Sequence, residues 1–87
     1  MTYQIPTQVL VAHLQGEAVL LHMETKRYYR LNETAAAIWQ GLERRQEVPG
    51  IVASLCRRFA VAPEAATGEV TTVIGDLLER GLIGPES

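Results

Sequence analysis

The side chains best suited to chemistry in this 87-residue chain are few: His13, His22 and the single cysteine, Cys56. The two histidines fall on neighbouring strand-like segments and could approach each other. Zinc asks for at least a third ligand, and none stands nearby at suitable spacing. No metal is assigned. Cys56 sits one position off the apolar stripe of a helical segment, so it reads as a structural thiol; a nucleophile would need a base beside it. The chain holds no Gly-rich phosphate loop, no paired-carboxylate pattern and no hydrolase elbow. It is also short for an enzyme pocket. These observations point away from an enzyme and imply no cofactor.

Composition narrows the remaining classes. A chain of this length makes one domain, residues 1–87, with an ordered core over about residues 8–83. The hydrophobic fraction of 47% is that of a globular protein. The net charge is −2 and the pI about 5.6, which disfavours a nucleic-acid partner. One cysteine forbids an internal disulfide and fits a reducing compartment. The start lacks the basic and apolar regions of a signal peptide, and no apolar run is long enough to span a bilayer. The expectation is a soluble, cytoplasmic protein with no membrane partner.

The elements follow from periodicity. Residues 8–14 and 17–23 read as strands split by a turn at Gln15-Gly16, and residues 27–31 as a third strand after Glu24-Thr25-Lys26. In the third strand Tyr29 and Leu31 share one face, and Tyr28 and Arg30 the other. Short connections imply an antiparallel meander. Asn32 is an N-cap, opening a helix to about Arg44 with Ala35, Ile38, Trp39 and Leu42 on its apolar side. Trp39 is read as a core anchor. Pro49 opens a second helix that buries Ile51, Val52, Leu55 and Phe59. Pro63 opens a third, with the stripe Ala66, Val70, Val73, Ile74, Leu77 and Leu78, stopped by Gly81. Leu82 and Ile83 tuck back, and residues 84–87 are expected to fray. The class is α+β, helices on one face of a small sheet whose edges must be covered, charged or used.

The run Tyr29-Arg30-Leu31-Asn32-Glu33-Thr34-Ala35-Ala36-Ala37-Ile38-Trp39 resembles the central signature of the PqqD family. Ile51, Leu55 and Phe59 match its second helix. Glu69-Val70 stands where an Asp-Val pair is usual, and Leu77-Leu78-Glu79-Arg80-Gly81-Leu82-Ile83 resembles its closing helix and end. The resemblance covers about residues 9–83. Arg44-Arg45-Gln46-Glu47 departs from the Asp and Gly that often precede the second helix, and Val48 stands where a Thr-like cap is usual.

That resemblance implies a winged-helix-like fold and a recognition element for ribosomally made precursor peptides. The leader would add as a strand to the third strand and drop apolar side chains between it and the third helix. The residues expected to serve are Arg27, Tyr28, Tyr29, Arg30 and Leu31 on the strand side. On the helix they are Val70, Val73, Ile74 and Leu77, some of them shared with the core, while Glu69 and Asp76 could receive a basic residue. The implied partners are a precursor peptide and a maturation enzyme: a peptidase, a cyclase or a radical enzyme. A stand-alone chain looks like the discrete proteins of lasso-peptide and pyrroloquinoline-quinone pathways, with Tyr28-Tyr29 leaning toward the former. An exposed edge could also make a homodimer. Two alternatives compete: a DNA-binding winged helix, kept alive by Arg57 and Arg58, and a structural docking subunit of a biosynthetic enzyme.

Overall fold

In the computed structural model, which describes residues 2–86, the chain is α+β, with the strand and helix order that the periodicity predicts. Two short strands lie outside that order. They are β1 (Tyr3–Gln4) at the front and β5 (Gly84–Pro85) at the back. Between them run β2 (Val9–His13), β3 (Ala18–His22), β4 (Arg27–Leu31), α1 (Glu33–Glu43), α2 (Val48–Phe59) and α3 (Pro63–Glu79).

The central sheet is an antiparallel meander, β2-β3-β4. Gly16 makes the first turn possible, because its φ of 72° lies in the left-handed region that a side chain would resist. Register then sorts the side chains. Val11 faces Leu20, Leu20 faces Tyr29, and Ala18 faces Leu31. These inward rows are covered by the helices; Ala18 and Leu20 are wholly buried. Leu10, Leu21 and Tyr28 form a row on the other face, where Tyr28 and Leu10 are exposed. The period-two assignment of Tyr28 and Arg30 against Tyr29 and Leu31 therefore holds.

Each helix buries one stripe. Ile38, Trp39 and Leu42 of α1, Ile51 and Leu55 of α2, and Ala66, Val70, Ile74 and Leu77 of α3 join Leu82 and Ile83 in one core. Burying each large aliphatic side chain contributes about 1.5–3 kcal/mol, so these stripes outweigh local propensity. Gly41 permits close packing of α1 on α2; a Cβ there would lie 2.8 Å from Ile51 Cγ1. Leu78, read as part of the α3 stripe, is exposed instead, because one residue beyond Leu77 rotates it about 100° off the core.

The ends of the helices explain their lengths. The Ala35 N–H donates to Asn32 Oδ1 at 2.9 Å, so Asn32 caps α1. After α3, the Leu82 N–H donates to Leu77 O and the Gly81 N–H to Leu78 O, with Gly81 at φ 71°. That is a Schellman closure, and it turns Leu82 into the core. The same bonds close α1, from Gln46 N–H to Gly41 O and Arg45 N–H to Leu42 O. There the left-handed residue is Arg45, at φ 59°.

The end of the chain corrects the expectation of fraying for residues 84–86; Ser87 lies outside the described residues. β5 pairs antiparallel with β1, Tyr3 against Pro85 and Gln4 against Gly84. Glu86 accepts from the Thr2 hydroxyl and pairs with Arg45. Tyr3 and Ile5 pack against the core. A pairing of two residues, eighty positions apart, has no local pattern to announce it.

Capping makes a paired test. Asn32→Ala should lower stability by about 1 kcal/mol in chemical denaturation. Ala62→Ser, at the start of α3 where the side chain makes no capping bond, should raise it by a similar amount. No loss in the first variant would mean that the Asn32 cap does not hold α1.

Candidate functional site

The hydrogen-bond phase of the sheet decides what β4 exposes. The Leu14 N–H donates to Glu17 O at 2.9 Å and the Met23 N–H to Gln8 O at 2.8 Å. Bonded pairs alternate along an antiparallel ladder. Residues 17, 19, 21 and 23 therefore bond toward β2, and 18, 20 and 22 toward β4. In the register of Ala18 with Leu31, Leu20 with Tyr29 and His22 with Arg27, those three β4 residues are satisfied. The amide and carbonyl groups of Tyr28 and Arg30 are left pointing to the open edge.

That edge opens on a groove of 460 Å³ between β4 and α3. Its strand wall is Tyr28, Tyr29, Arg30 and Leu31, continued by Asn32 and Ala35 at the start of α1. Its helix wall is Glu69, Thr72, Val73, Asp76, Leu77 and Arg80, with Leu82 below. The Arg80 guanidinium lies 5.3 Å from the centre of the Tyr29 ring, a cation–π contact that joins the two walls. The Arg30 guanidinium is held by Glu17, at 3.1 Å from Nε and 2.8 Å from Nη2. That pair is exposed and adds little stability, but it ties the side chain back over the sheet and leaves its backbone at the edge.

Of the residues expected from the sequence, Tyr28, Tyr29, Arg30, Leu31, Glu69, Val73, Asp76 and Leu77 line this groove. Arg27, Val70 and Ile74 do not line it, and the last two are buried. Leu31 and Leu77 are nearly buried and form its floor. Thr72, Arg80, Asn32, Ala35 and Leu82 were not expected. A signal for the helix wall lies in the sequence: positions 69, 72, 73, 76 and 80 recur at spacings of three and four, beside a core stripe at 66, 70, 74 and 77.

The remaining candidates separate. His13 pairs with Ala18 and His22 with Val9, at opposite ends of the β2–β3 hairpin, about 13 Å apart at strand rise. His13 lies 3.8 Å from Glu43; His22 is buried with its Nδ1 unpaired. Among the described residues no three or more His, Cys, Asp or Glu gather closely enough to hold a metal. Cys56 is half-buried on α2. Arg58 stacks 5.6 Å from Phe59 and bonds Gln40 at 3.3 Å. No helix is long and apolar enough to cross a membrane among the described residues.

A family model described as coenzyme PQQ synthesis protein D (PqqD) matches residues 17–83. Among solved structures, TbiB1 in complex with the TbiA(beta) leader peptide superposes with a TM-score of 0.88. It is 26% identical, over 97% of this chain and 98% of that one. A lasso peptide synthetase B1 complexed with the leader peptide also gives 0.88, at 25% identity over 98% and 100% of the two chains. No curated protein matches.

Core and groove positions on α3 should respond differently to truncation. Ile74→Ala should cost about 2–5 kcal/mol in denaturant unfolding, as buried truncations do. Val73→Ala, half-buried on the groove side, should cost about 1 kcal/mol or less. Equal losses would place both in the core.

Proposed function

The chain belongs to the PqqD family, and we propose that it binds the leader segment of a ribosomally made precursor peptide as an added strand on β4 and presents it to a maturation enzyme. The observation that carries this is the outward pairing capacity of Tyr28 and Arg30 at the mouth of a groove of 460 Å³. Two proteins of the same fold, bound to leader peptides, support it.

The mechanism follows from strand geometry. An extended peptide laid along β4 exchanges backbone bonds with Tyr28 and Arg30, which fixes its register. Its side chains then alternate. One set enters the groove over Leu31 and Leu77, against Tyr29 and Val73. The other set continues the outer row begun by Tyr28. Glu69 and Asp76, seven residues or about 10 Å apart along α3, offer two carboxylates to basic side chains of the peptide. Arg80 lies one turn beyond Asp76 and would meet an acidic one. The flexible leader loses conformational freedom on docking, so affinity is modest for the area covered.

In this reading the protein performs no bond-making step. It raises the local concentration of the peptide at an enzyme, whether peptidase, cyclase or radical enzyme. The mature part of the precursor hangs free of the groove, and the enzyme acts on that part. The protein works in the cytoplasm. A homodimer through the same edge would compete with the peptide, so peptide addition should dissolve it.

Titration of ¹⁵N-labelled protein with the TbiA(beta) leader peptide and leaders of candidate precursors should shift amides of Arg27–Leu31 and α3. Tyr28→Pro deletes an outward donor without touching the β3 ladder. It should keep the fold and weaken binding by about fivefold or more, the worth of one backbone bond. Unaltered affinity in a folded Tyr28→Pro protein would rule out strand addition at β4.

A further inference from the structure

Beyond the end of β4, the groove meets a second hollow. Thr34 in the first turn of α1, Phe59 at the end of α2, Val61 in the connection and Ala65 in the first turn of α3 surround a space of 220 Å³. Leu55 and Ala66 make its floor, and both are buried at 1% exposure. Glu69 lines this hollow as well as the groove, so the two spaces share a wall.

The hollow has a structural cause. Ala60 ends α2 in the left-handed conformation, at φ 53°, and swings Val61 out to 38% exposure. α3 then begins with alanines at 65 and 66, where larger side chains would fill the gap between α2 and α3. An apolar hollow, walled by Phe59, Val61 and Ala65, is thus left open to solvent beside a carboxylate. Apart from the Thr34 hydroxyl and that carboxylate, the wall offers no polar side chain. A charged or strongly polar occupant would be poorly satisfied there.

We propose that this hollow is a second subsite of the leader-binding site, taking one apolar side chain of leucine-to-phenylalanine size from the segment just beyond the residues paired with β4. The proposal rests on the strand-addition reading and deepens it. The peptide leaves the strand register where β4 turns at Asn32 into α1. It passes Glu69, whose carboxylate accepts a hydrogen bond at the crossing, and anchors over Leu55 and Ala66. The occupant is the leader itself because the hollow opens onto the groove through a shared residue. Specificity then has two separable parts: backbone pairing along β4, which tolerates many sequences, and one apolar anchor, which does not. An antiparallel leader would place the anchor before its paired segment, and a parallel leader after it.

A double-mutant cycle tests this. The protein side is Ala65→Leu, which fills the hollow; the peptide side is an alanine scan of a bound leader, beginning with the TbiA(beta) leader peptide. Binding is read by titration calorimetry and folding by the amide spectrum. Ala65→Leu should bind the intact leader about tenfold more weakly. One apolar leader position, outside the paired segment, should lose about tenfold on replacement by alanine in the unaltered protein. In Ala65→Leu the same replacement should cost less than about twofold. If Ala65→Leu does not fold, Val61→Asp puts a charge on the exposed rim and should show the same loss and the same non-additivity. Unchanged affinity in the folded variant, or losses that multiply at every leader position, overturns the subsite. If Tyr28→Pro weakens binding while filling the hollow does nothing, strand addition stands and the subsite falls. If no leader binds the unaltered protein, both fall together.

Discussion

An unpaired row of peptide groups at the edge of a sheet must find partners, and that requirement organises this molecule. A meander of three strands cannot close on itself, so β4 keeps one side of its backbone unsatisfied. Water can satisfy those groups, but a second polypeptide does so with direction and register. α3 stands across the edge and leaves the space between open. The edge thereby becomes the wall of a groove, with Tyr28 and Arg30 as its unpaired groups and Leu31 and Leu77 as its floor. The phase of the ladder, set two turns away at Gly16, decides which residues those are.

α3 holds both the core and the groove, and its two stripes lie less than half a turn apart. Val70, Ile74 and Leu77 fasten the helix to the body, while Glu69, Val73, Asp76 and Arg80 face the open space. The buried stripe of Ala66, Val70, Ile74 and Leu77 holds the helix against the core and so fixes the position of the groove wall. The cation–π contact from Arg80 to Tyr29 links the far wall to the strand. A wall fixed in advance lowers the ordering cost to that of the incoming chain alone.

Much of this was legible in the residues. The third strand was read to its observed bounds because a polar turn precedes it and Asn32 follows; the alternation of Tyr28 with Tyr29 set the two rings on opposite faces, and the fold shows Tyr28 to be the outward one. Pro63 and Gly81 marked the limits of α3. Other features carried no local signal. The pairing of Tyr3–Gln4 with Gly84–Pro85 depends on the whole fold bringing the ends together. The division of α3 into core and groove needed the position of β4, so Val70 and Ile74 were grouped with Val73. Arg45 closes α1 from a left-handed conformation usually given to glycine, and nothing in Arg44-Arg45-Gln46-Glu47 marks it as a helix stop. The carboxylate of Glu86, at the other end of the chain, gives that arginine its partner.

The clasp between β1 and β5 has a topological consequence. Residues 2 and 86 touch, so the described chain is nearly a ring. Glu86 reaches Arg45 just past the C-terminal end of α1, whereas Asn32 and Ala35 at the other end of that helix border the groove, about 16 Å away at helical rise. A short linker could join the two ends, and new ends could be opened in the exposed turn at residues 23–26 without cutting a helix. The order of elements would be permuted, while the edge of β4 and the wall of α3 kept their places. The groove thus belongs to the spatial arrangement of strand and helix, and its two walls would be the same whatever the order in which the chain visited them.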